Sequence, residues 1–122
     1  MKRNKIKSAR NKADRLWSKL ILTLHPKCEY CGQPSADPHH FIPKSLSSAL
    51  RYSIANGVGL CRKHHFIWHN QEDADIHATI VLQRGAEWIE KIRGLRNVQV
   101  KTNLAFYTEH IKMLEQALNE ME

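Results

Sequence analysis

The sequence predicts an α+β fold in which a small irregular centre lies between an N-terminal helix and C-terminal helices. Apolar residues recur at helical spacing near both ends of the chain, whereas residues 28–60 form short segments broken by glycine and proline. All three cysteines and five of the eight histidines fall between residues 28 and 69. At 122 residues the chain has the length of a single domain, 1–122.

The sequence of residues 1–27 predicts a frayed basic start over 1–7, followed by one helix. Ser8 is a candidate N-cap for that helix, and Pro26 ends it. In the centre, residues 28–70, two short strands are expected at 40–42 and 58–60, joined by a polar loop. A second helix is expected from about Arg62 to His69, which places His65 and His69 on one face.

Residues 71–122 predict a helical extension. Asp73 or Asp75 caps its first helix, and Gly85 ends that helix. A short helix that ends at Gly94 comes next, and a brief extended piece at 98–100 follows it. Thr102 or Asn103 caps the last helix. This helix is amphipathic, so its apolar face could pair with a second copy of the chain as a homodimer.

Charge is distributed unevenly along the chain, which has 19 basic and 12 acidic side chains and a net charge of +7. Residues 1–27 carry nine basic side chains and one carboxylate, a net +8, and the other 95 residues carry −1. We therefore expect a polyanionic partner, with nucleic acid favoured over a membrane surface. Deleting the basic segment should weaken binding and flatten its salt dependence while leaving the chemistry of the centre in place. The candidate contacts on the polar face of the first helix are Arg10, Lys12, Arg15 and Lys19.

Several classes of protein do not fit the sequence. No run of 18 apolar residues is present, and the basic start lacks the apolar region and cleavage site of a secretory signal. Three cysteines do not close a disulfide framework. The expected location is cytoplasmic.

The cysteines form part of two similar pairs, Cys28-x-x-Cys31 and Cys61-x-x-His64. Each pair offers donors at i and i+3, and three thiolates with one imidazole suit a tetrahedral Zn²⁺ site. The alternative is that the cysteines are buried free thiols that pack as small apolar side chains. Because both pairs occur in one short chain, the sequence favours a structural zinc.

A second pattern combines His39-His40-x-x-Pro43 with Asn56 and His65-x-x-x-His69. Together with the cysteine pairs it resembles the HNH, or His-Me finger, endonucleases over residues 28–70. The histidine spacing is similar to that of the nuclease domains of DNase colicins. Because Leu50-Arg51-Tyr52 precedes Asn56, the chain also resembles phage recombination nucleases of the NinG (Rap) type.

The resemblance implies a small zinc-stabilised ββα-metal core, flanked by the basic helix and the C-terminal helices. His40 would be the general base, and Asn56 would orient that ring or its loop. His39, His65 and His69 would bind one divalent cation, such as Mg²⁺, Mn²⁺, Ni²⁺ or Zn²⁺. The products would be 3′-hydroxyl and 5′-phosphate ends of DNA, duplex or branched. Side chains close enough in sequence to contact neighbouring phosphates are Lys44, Arg51, Arg62 and Lys63.

The pattern departs from the commonest HNH sequence at two places. Many members have Asp-His where this chain has His39-His40, and Asp37 is displaced by two positions. A site of three imidazoles favours Zn²⁺, Ni²⁺, Co²⁺ or Mn²⁺ over Mg²⁺. His64 stands where Cys is more usual, which leaves open whether His64 or His65 joins the cysteines. Neighbouring residues point about 100° apart on a helix, which favours two separate sites.

Other functions fit the same residues. The chain could be a zinc-stabilised DNA-binding or interaction module with a vestigial nuclease centre, or a small RNase that uses the same centre. Isolated histidines are expected to have no site role, and large aromatic side chains at helical spacing are expected in the core. Trp68 fits either the core or a groove, and the core is favoured. The histidines with no expected site role are His25, His77 and His110, and the aromatic residues expected in the core are Trp17, Trp88, Phe106 and Tyr107.

Overall fold

A computed structural model describes residues 2–71 and 73–121. This part of the chain contains five α-helices and one two-stranded antiparallel sheet, which confirms the predicted α+β class. A 3-10 turn at Ser48–Leu50 lies in the loop between the strands. The elements in chain order are α1 (Lys2–Leu24), β1 (Asp37–His40), β2 (Gly57–Leu60), α2 (Arg62–Gln71), α3 (Ala74–Arg84), α4 (Ala86–Arg93) and α5 (Leu104–Glu120).

The C-terminal helices begin and end at the residues that the sequence indicates. Asp73 caps α3, because its carboxylate accepts a hydrogen bond from the backbone N–H of Asp75. Gly85 ends α3 with a φ of +94°, in the region that glycine adopts readily. The side chain of Asn103 caps α5 by accepting from the N–H of Phe106.

Three local predictions were wrong. Helix α1 begins at Lys2 instead of after a frayed start, because Ile6 and Ala9 pack against the cluster that α1 forms with α5. Strand β1 ends at His40 instead of beginning there. No strand forms at 98–100 in the described chain, since the carbonyl groups of Val98 and Val100 accept hydrogen bonds from serine hydroxyls of the inter-strand loop.

The end of β1 has a specific cause. His40 pairs with Gly57, and the N–H of Phe41 still donates to the carbonyl of Asn56. The next N–H, that of Ile42, instead donates to the side-chain oxygen of Asn56 at 2.8 Å. The backbone bends at Phe41 and Ile42, and Pro43, the next position that would bond to β2, has no N–H with which to extend the ladder.

Two apolar clusters hold the elements together. One joins the sheet to α3 and α4, and the other joins α1 to α5. The face of α5 that carries Tyr107, Ile111 and Leu114 is buried against α1 of the same chain. The apolar face on which a homodimer was considered is therefore already covered within the chain.

Helix α1 is an integral part of the fold, so residues 1–27 are not a separable basic arm. Ala13, Trp17, Leu20 and Ile21 are at most 2% exposed. Removing 1–27 would uncover this cluster, so truncation should unfold the chain rather than only weaken binding. No helix of the described residues has the length and apolar character needed to cross a membrane.

The end of α1 lies directly on β2, and this contact needs glycine in the strand. A Cβ atom added at Gly59 would lie 2.5 Å from the carbonyl oxygen of His25, and one added at Gly57 would lie 2.1 Å from Ile21 Cδ1. Distances this short force either the strand or the helix to move. The two glycines therefore set how closely α1 approaches the sheet.

We expect Gly59→Ala to lower the free energy of unfolding by about 1–3 kcal/mol, because the added methyl overlaps backbone atoms that are not free to move. Chemical denaturation of the metal-loaded protein measures this change. Gly94→Ala is the matched control, since the nearest atoms to its added Cβ lie at 3.5 Å, an ordinary contact distance. Equal stability of the two variants would show that α1 does not need this close approach.

Candidate metal centres

The first centre lies where the chain after α1 meets the start of α2. Cys28 and Cys31 occupy a tight turn, Cys61 directly follows β2, and His64 lies in the first turn of α2. Gly32 has a φ of +79° and donates its N–H to the carbonyl of Cys28, which closes the turn.

The four donor atoms of this centre lie within 4.8 Å of one another. The Sγ atoms of Cys31 and Cys61 are 3.7 Å apart, and His64 Nδ1 lies 3.2 Å from Cys61 Sγ and 3.9 Å from Cys28 Sγ. A tetrahedral site with Zn–S bonds of about 2.3 Å has S···S edges of roughly 3.8 Å. The group can hold a metal ion and is compatible with a structural zinc.

An ion pair that the sequence pattern does not indicate supports this centre. Arg84 of α3 donates to both carboxylate oxygens of Glu29 at 2.8 and 2.7 Å, and Glu29 lies between Cys28 and Cys31. The same guanidinium donates to the carbonyls of Ala55 and Gly57, at the start of β2. One side chain therefore links α3 to the cysteine turn and to the sheet.

The second centre consists of His39 on β1 and of His65 and His69 on α2, whose donor atoms also lie within 4.8 Å of one another. The Nε2 atoms of His65 and His69 are 3.0 Å apart. His39 is 5% exposed, and its Nε2 has no hydrogen-bond partner in the described chain. An unpaired buried ring nitrogen beside two other imidazoles is typical of a set of metal ligands.

The protonation of these rings suits that role. Burial, reinforced by the neighbouring histidines, lowers the pKa of His39 to about 3, so the ring is neutral at neutral pH. Asp37 Oδ2 lies 3.2 Å from His65 Nδ1. This contact places the His65 proton on Nδ1 and leaves the lone pair of Nε2 toward His69. Asp37 therefore lies at the site as a partner of a histidine.

The two adjacent histidines of helix α2 thus belong to different centres. His64 lies with the cysteines, whereas His65 lies with His39 and His69. This separation settles the alternative that the sequence left open, and it matches the angle between neighbouring helical positions. Trp68 packs on His39 at 4.5 Å between ring centroids, contacts the apolar core, and lines the cleft above the imidazoles. It therefore belongs to both the core and the groove.

His40 lies on the opposite side of β1 from His39, because successive strand residues alternate between faces. Its ring stacks on the indole of Trp17, with centroids 3.9 Å apart and planes 9° from parallel. Its Nε2 lies 2.9 Å from the carbonyl oxygen of Arg51. A carbonyl only accepts, so Nε2 carries the proton and Nδ1 keeps its lone pair. Burial lowers the pKa of His40, which favours this neutral form.

Asn56 is fully buried and closes the inter-strand loop, and its hydrogen bonds within the described chain go to the backbone and not to the His40 ring. Its Oδ1 accepts from the N–H of Ile42, and its Nδ2 donates to the carbonyls of Ile42 and Leu50 at 2.9 and 3.4 Å. Of the two roles expected for Asn56, the structure places it in the one that acts on the loop. The loop in turn presents the Arg51 carbonyl to His40.

The candidate phosphate contacts fall into different surroundings. Lys44 is exposed and lines the cleft that holds His39 and His40. Arg62 shares a helix face with His65 and His69 by its spacing, whereas Lys63 lies about 100° around α2.

Arg51 has another task, because its guanidinium forms two-pronged hydrogen bonds with Asp14 at 2.9–3.2 Å. Tyr52 donates to the same carboxylate at 2.7 Å. The guanidinium of Arg51 is thus committed to α1, and its contribution to the site is its carbonyl oxygen. No local pattern in the sequence indicates this pairing, since Asp14 and Arg51 are 37 residues apart.

The basic residues of α1 do not share one face. Lys12, Arg15 and Lys19 are exposed, on the side opposite the buried residues. Arg10 is half-buried and, by its spacing, lies on the face that carries Asp14 and Trp17. The predicted polar face therefore holds three of the four cations.

Comparison of the chain with family models, with curated proteins and with solved structures gives no match. The geometry of the two centres and of His40 is therefore the basis for a functional proposal.

We expect the protein to bind two metal ions per chain, because the two donor sets share no residue. His65→Ala should lose one ion and keep the other, whereas Cys61→Ser should lose the thiolate-bound ion and lower the thermal midpoint. Elemental analysis after dialysis measures the stoichiometry. Co²⁺ substitution adds a thiolate charge-transfer absorption from the cysteine centre alone. His110→Ala, on α5, is the control that keeps both ions. A single ion per wild-type chain would contradict two separate centres.

Proposed function

We propose that this protein is a metal-dependent DNA endonuclease of the HNH, or His-Me finger, type, with β1, β2 and α2 as its ββα-metal core. It hydrolyses phosphodiester bonds to 3′-hydroxyl and 5′-phosphate ends. One observation carries the proposal. His40, whose Nε2 proton is bound to a backbone carbonyl, is among the residues that line the cleft of the three convergent imidazoles.

His39, His65 and His69 would hold the catalytic cation. When bound, a divalent cation polarises the scissile phosphate and stabilises the charge that develops on the leaving 3′ oxygen. Neutral imidazoles favour Zn²⁺, Ni²⁺, Co²⁺ or Mn²⁺ over Mg²⁺. Asp37 holds the ring of His65, and Trp68 covers one side of His39.

His40 takes the proton from the attacking water at Nδ1. A neutral imidazole with its other nitrogen held by a carbonyl has one defined basic site, which is what a general base needs. Trp17 fixes the plane of the ring from one side. The Asp14–Arg51 pair and the side chain of Asn56 fix the carbonyl that holds Nε2. These three contacts position the base and do not touch the substrate.

Charge supports DNA as the substrate. Eight of the nine basic side chains of residues 1–27 belong to α1, which has a net charge of +7 and also carries Trp17, the partner of His40. Lys44 lies at the cleft itself. The resemblance to phage recombination nucleases adds branched DNA to duplex DNA as a candidate substrate. The cysteine centre has a structural task, with zinc fixing the turn that leads into β1 and the first turn of α2.

We expect His40→Ala to reduce cleavage by about 10²–10⁴-fold, the range that general-base catalysis contributes. Metal content and the thermal midpoint should stay near those of the wild type, because His40 belongs to neither donor set. Plasmid nicking by metal-stripped protein, resupplied with Mg²⁺, Mn²⁺, Ni²⁺ or Zn²⁺, measures the activity. End-labelling of the products identifies the 5′-phosphate.

His110→Ala is the control for this experiment, because His110 lies on α5 and bonds only to the carbonyl of Phe106. Full activity of His40→Ala would overturn the assignment of the base. Wild-type protein that binds DNA but cleaves it with none of the four ions would instead be a zinc-stabilised binding module. Cleavage of RNA alone would make the protein an RNase.

Full-length protein with Lys12, Arg15 and Lys19 replaced by Gln tests the charge of α1 without removing the helix. We expect weaker DNA binding and a salt dependence of log K that is less steep by roughly 2.7, since each phosphate contact contributes about 0.9. Fluorescence anisotropy at several salt concentrations measures both quantities. The turnover number should stay unchanged. An unchanged salt slope would show that this face does not contact phosphates.

A further inference from the structure

A second groove lies beside the histidine cleft, on the other side of the segment that follows His40. Its volume is about 440 Å³, and Pro43 lines both the groove and the cleft. The two depressions are therefore neighbours along one surface. The groove is lined by Phe41, Ile42, Pro43, His77, Arg93 and Arg96.

The groove combines an apolar floor with a cationic rim. Phe41 and Ile42 are at most 6% exposed, and the ring of His77 packs on Phe41 at 4.6 Å between centroids. Arg93 and Arg96 are both exposed, and within residues 2–71 and 73–121 neither has a carboxylate partner within 4 Å. By contrast, the guanidinium of Arg84 is fully used by Glu29 and by backbone carbonyls. The rim therefore offers two guanidinium groups to an external anion.

The arginines are held in a fixed position relative to the histidine cleft. The fully buried hydroxyl of Ser47 bonds to the carbonyls of Leu95 and Val98 at 2.6 and 3.1 Å. Gln99 donates to the carbonyl of Leu46 at 2.6 Å. These bonds attach the turn that carries Arg96 to the loop that follows His40.

We propose that this groove is a binding subsite for a nucleotide that flanks the scissile phosphate. Arg93 and Arg96 bind its backbone phosphate, and Pro43 and His77 contact its sugar or base. The inference rests on the proposed nuclease function and extends it, since it adds a second point of contact on the substrate. Guanidinium groups suit this task, because they bind phosphate oxygens in a two-pronged geometry.

The test compares Arg93→Gln/Arg96→Gln with Lys91→Gln/Lys112→Gln in the full-length, metal-loaded protein. The control removes the same charge outside the groove, since Lys91 lines a different cavity on the far side of α4 and Lys112 is exposed on α5. The probe is a labelled DNA duplex that is shortened stepwise. Anisotropy gives the affinity, and cleavage kinetics give KM and kcat separately.

We expect the arginine variant to bind more weakly than the control and to raise KM with little change in kcat. Its salt slope should be less steep by about 1.8, for two lost phosphate contacts. Wild-type protein should lose affinity when the duplex becomes too short to reach the groove. The affinity of the arginine variant should show no such drop at that duplex length.

Equal weakening of the two variants would overturn the subsite, because charge alone would then explain the effect. Cleavage with unchanged KM and salt slope in the arginine variant would overturn the subsite and leave the nuclease proposal standing. Arginine-dependent DNA binding without cleavage would overturn the nuclease proposal and leave the groove as a phosphate contact of a DNA-binding protein. Wild-type protein that neither binds nor cleaves DNA would overturn both.

Discussion

The strands of the sheet are only four residues long, and this limit determines how the rest of the site is built. Two strands of this length do not fix a catalytic constellation by backbone pairing alone. Side-chain hydrogen bonds hold the parts of the site that the strand pairing does not reach. The buried amide of Asn56 makes three hydrogen bonds across the ends of the inter-strand loop. Because an unpaired buried polar group costs about 1–3 kcal/mol, the loop conformation that satisfies all three bonds is strongly preferred.

His39 and His40 are adjacent on β1, but their side chains contact different helices. Alternation along β1 directs His39 toward α2 and His40 toward α1. His39 and the proposed base His40 therefore lie at the end of one short strand, but different parts of the fold hold them. Helix α1 supplies Trp17 as well as Asp14, the partner of Arg51. The most basic element of the chain is thus also the one that contacts the proposed base, so the proposed attraction of DNA and the orientation of His40 would come from the same helix.

The sequence was sufficient for the parts of this protein that depend on local spacing. Donors at i and i+3 identified the cysteine centre, donors at i and i+4 identified His65 and His69, and caps located α3 and α5. The sequence was not sufficient where a single long-range contact determines the local structure. The Glu29–Arg84 and Asp14–Arg51 pairs join residues 55 and 37 positions apart, and no periodicity marks them. The end of β1 was missed for the same reason, because the chain after His40 bends where the side chain of Asn56, 14 positions away, bonds the backbone of Ile42.

The two candidate centres are coupled through helix α2. His64 is the last donor of the cysteine centre and lies in the first turn of α2, whereas His65 and His69 follow it on the same helix. Fixing His64 beside the cysteines sets the rotation of α2 about its axis, and that rotation turns His65 and His69 toward His39. Because linkage between two sites is reciprocal, an ion at either centre would favour the same rotation of α2. Arg84 further ties the cysteine turn to α3, so the cysteine centre is held by two helices.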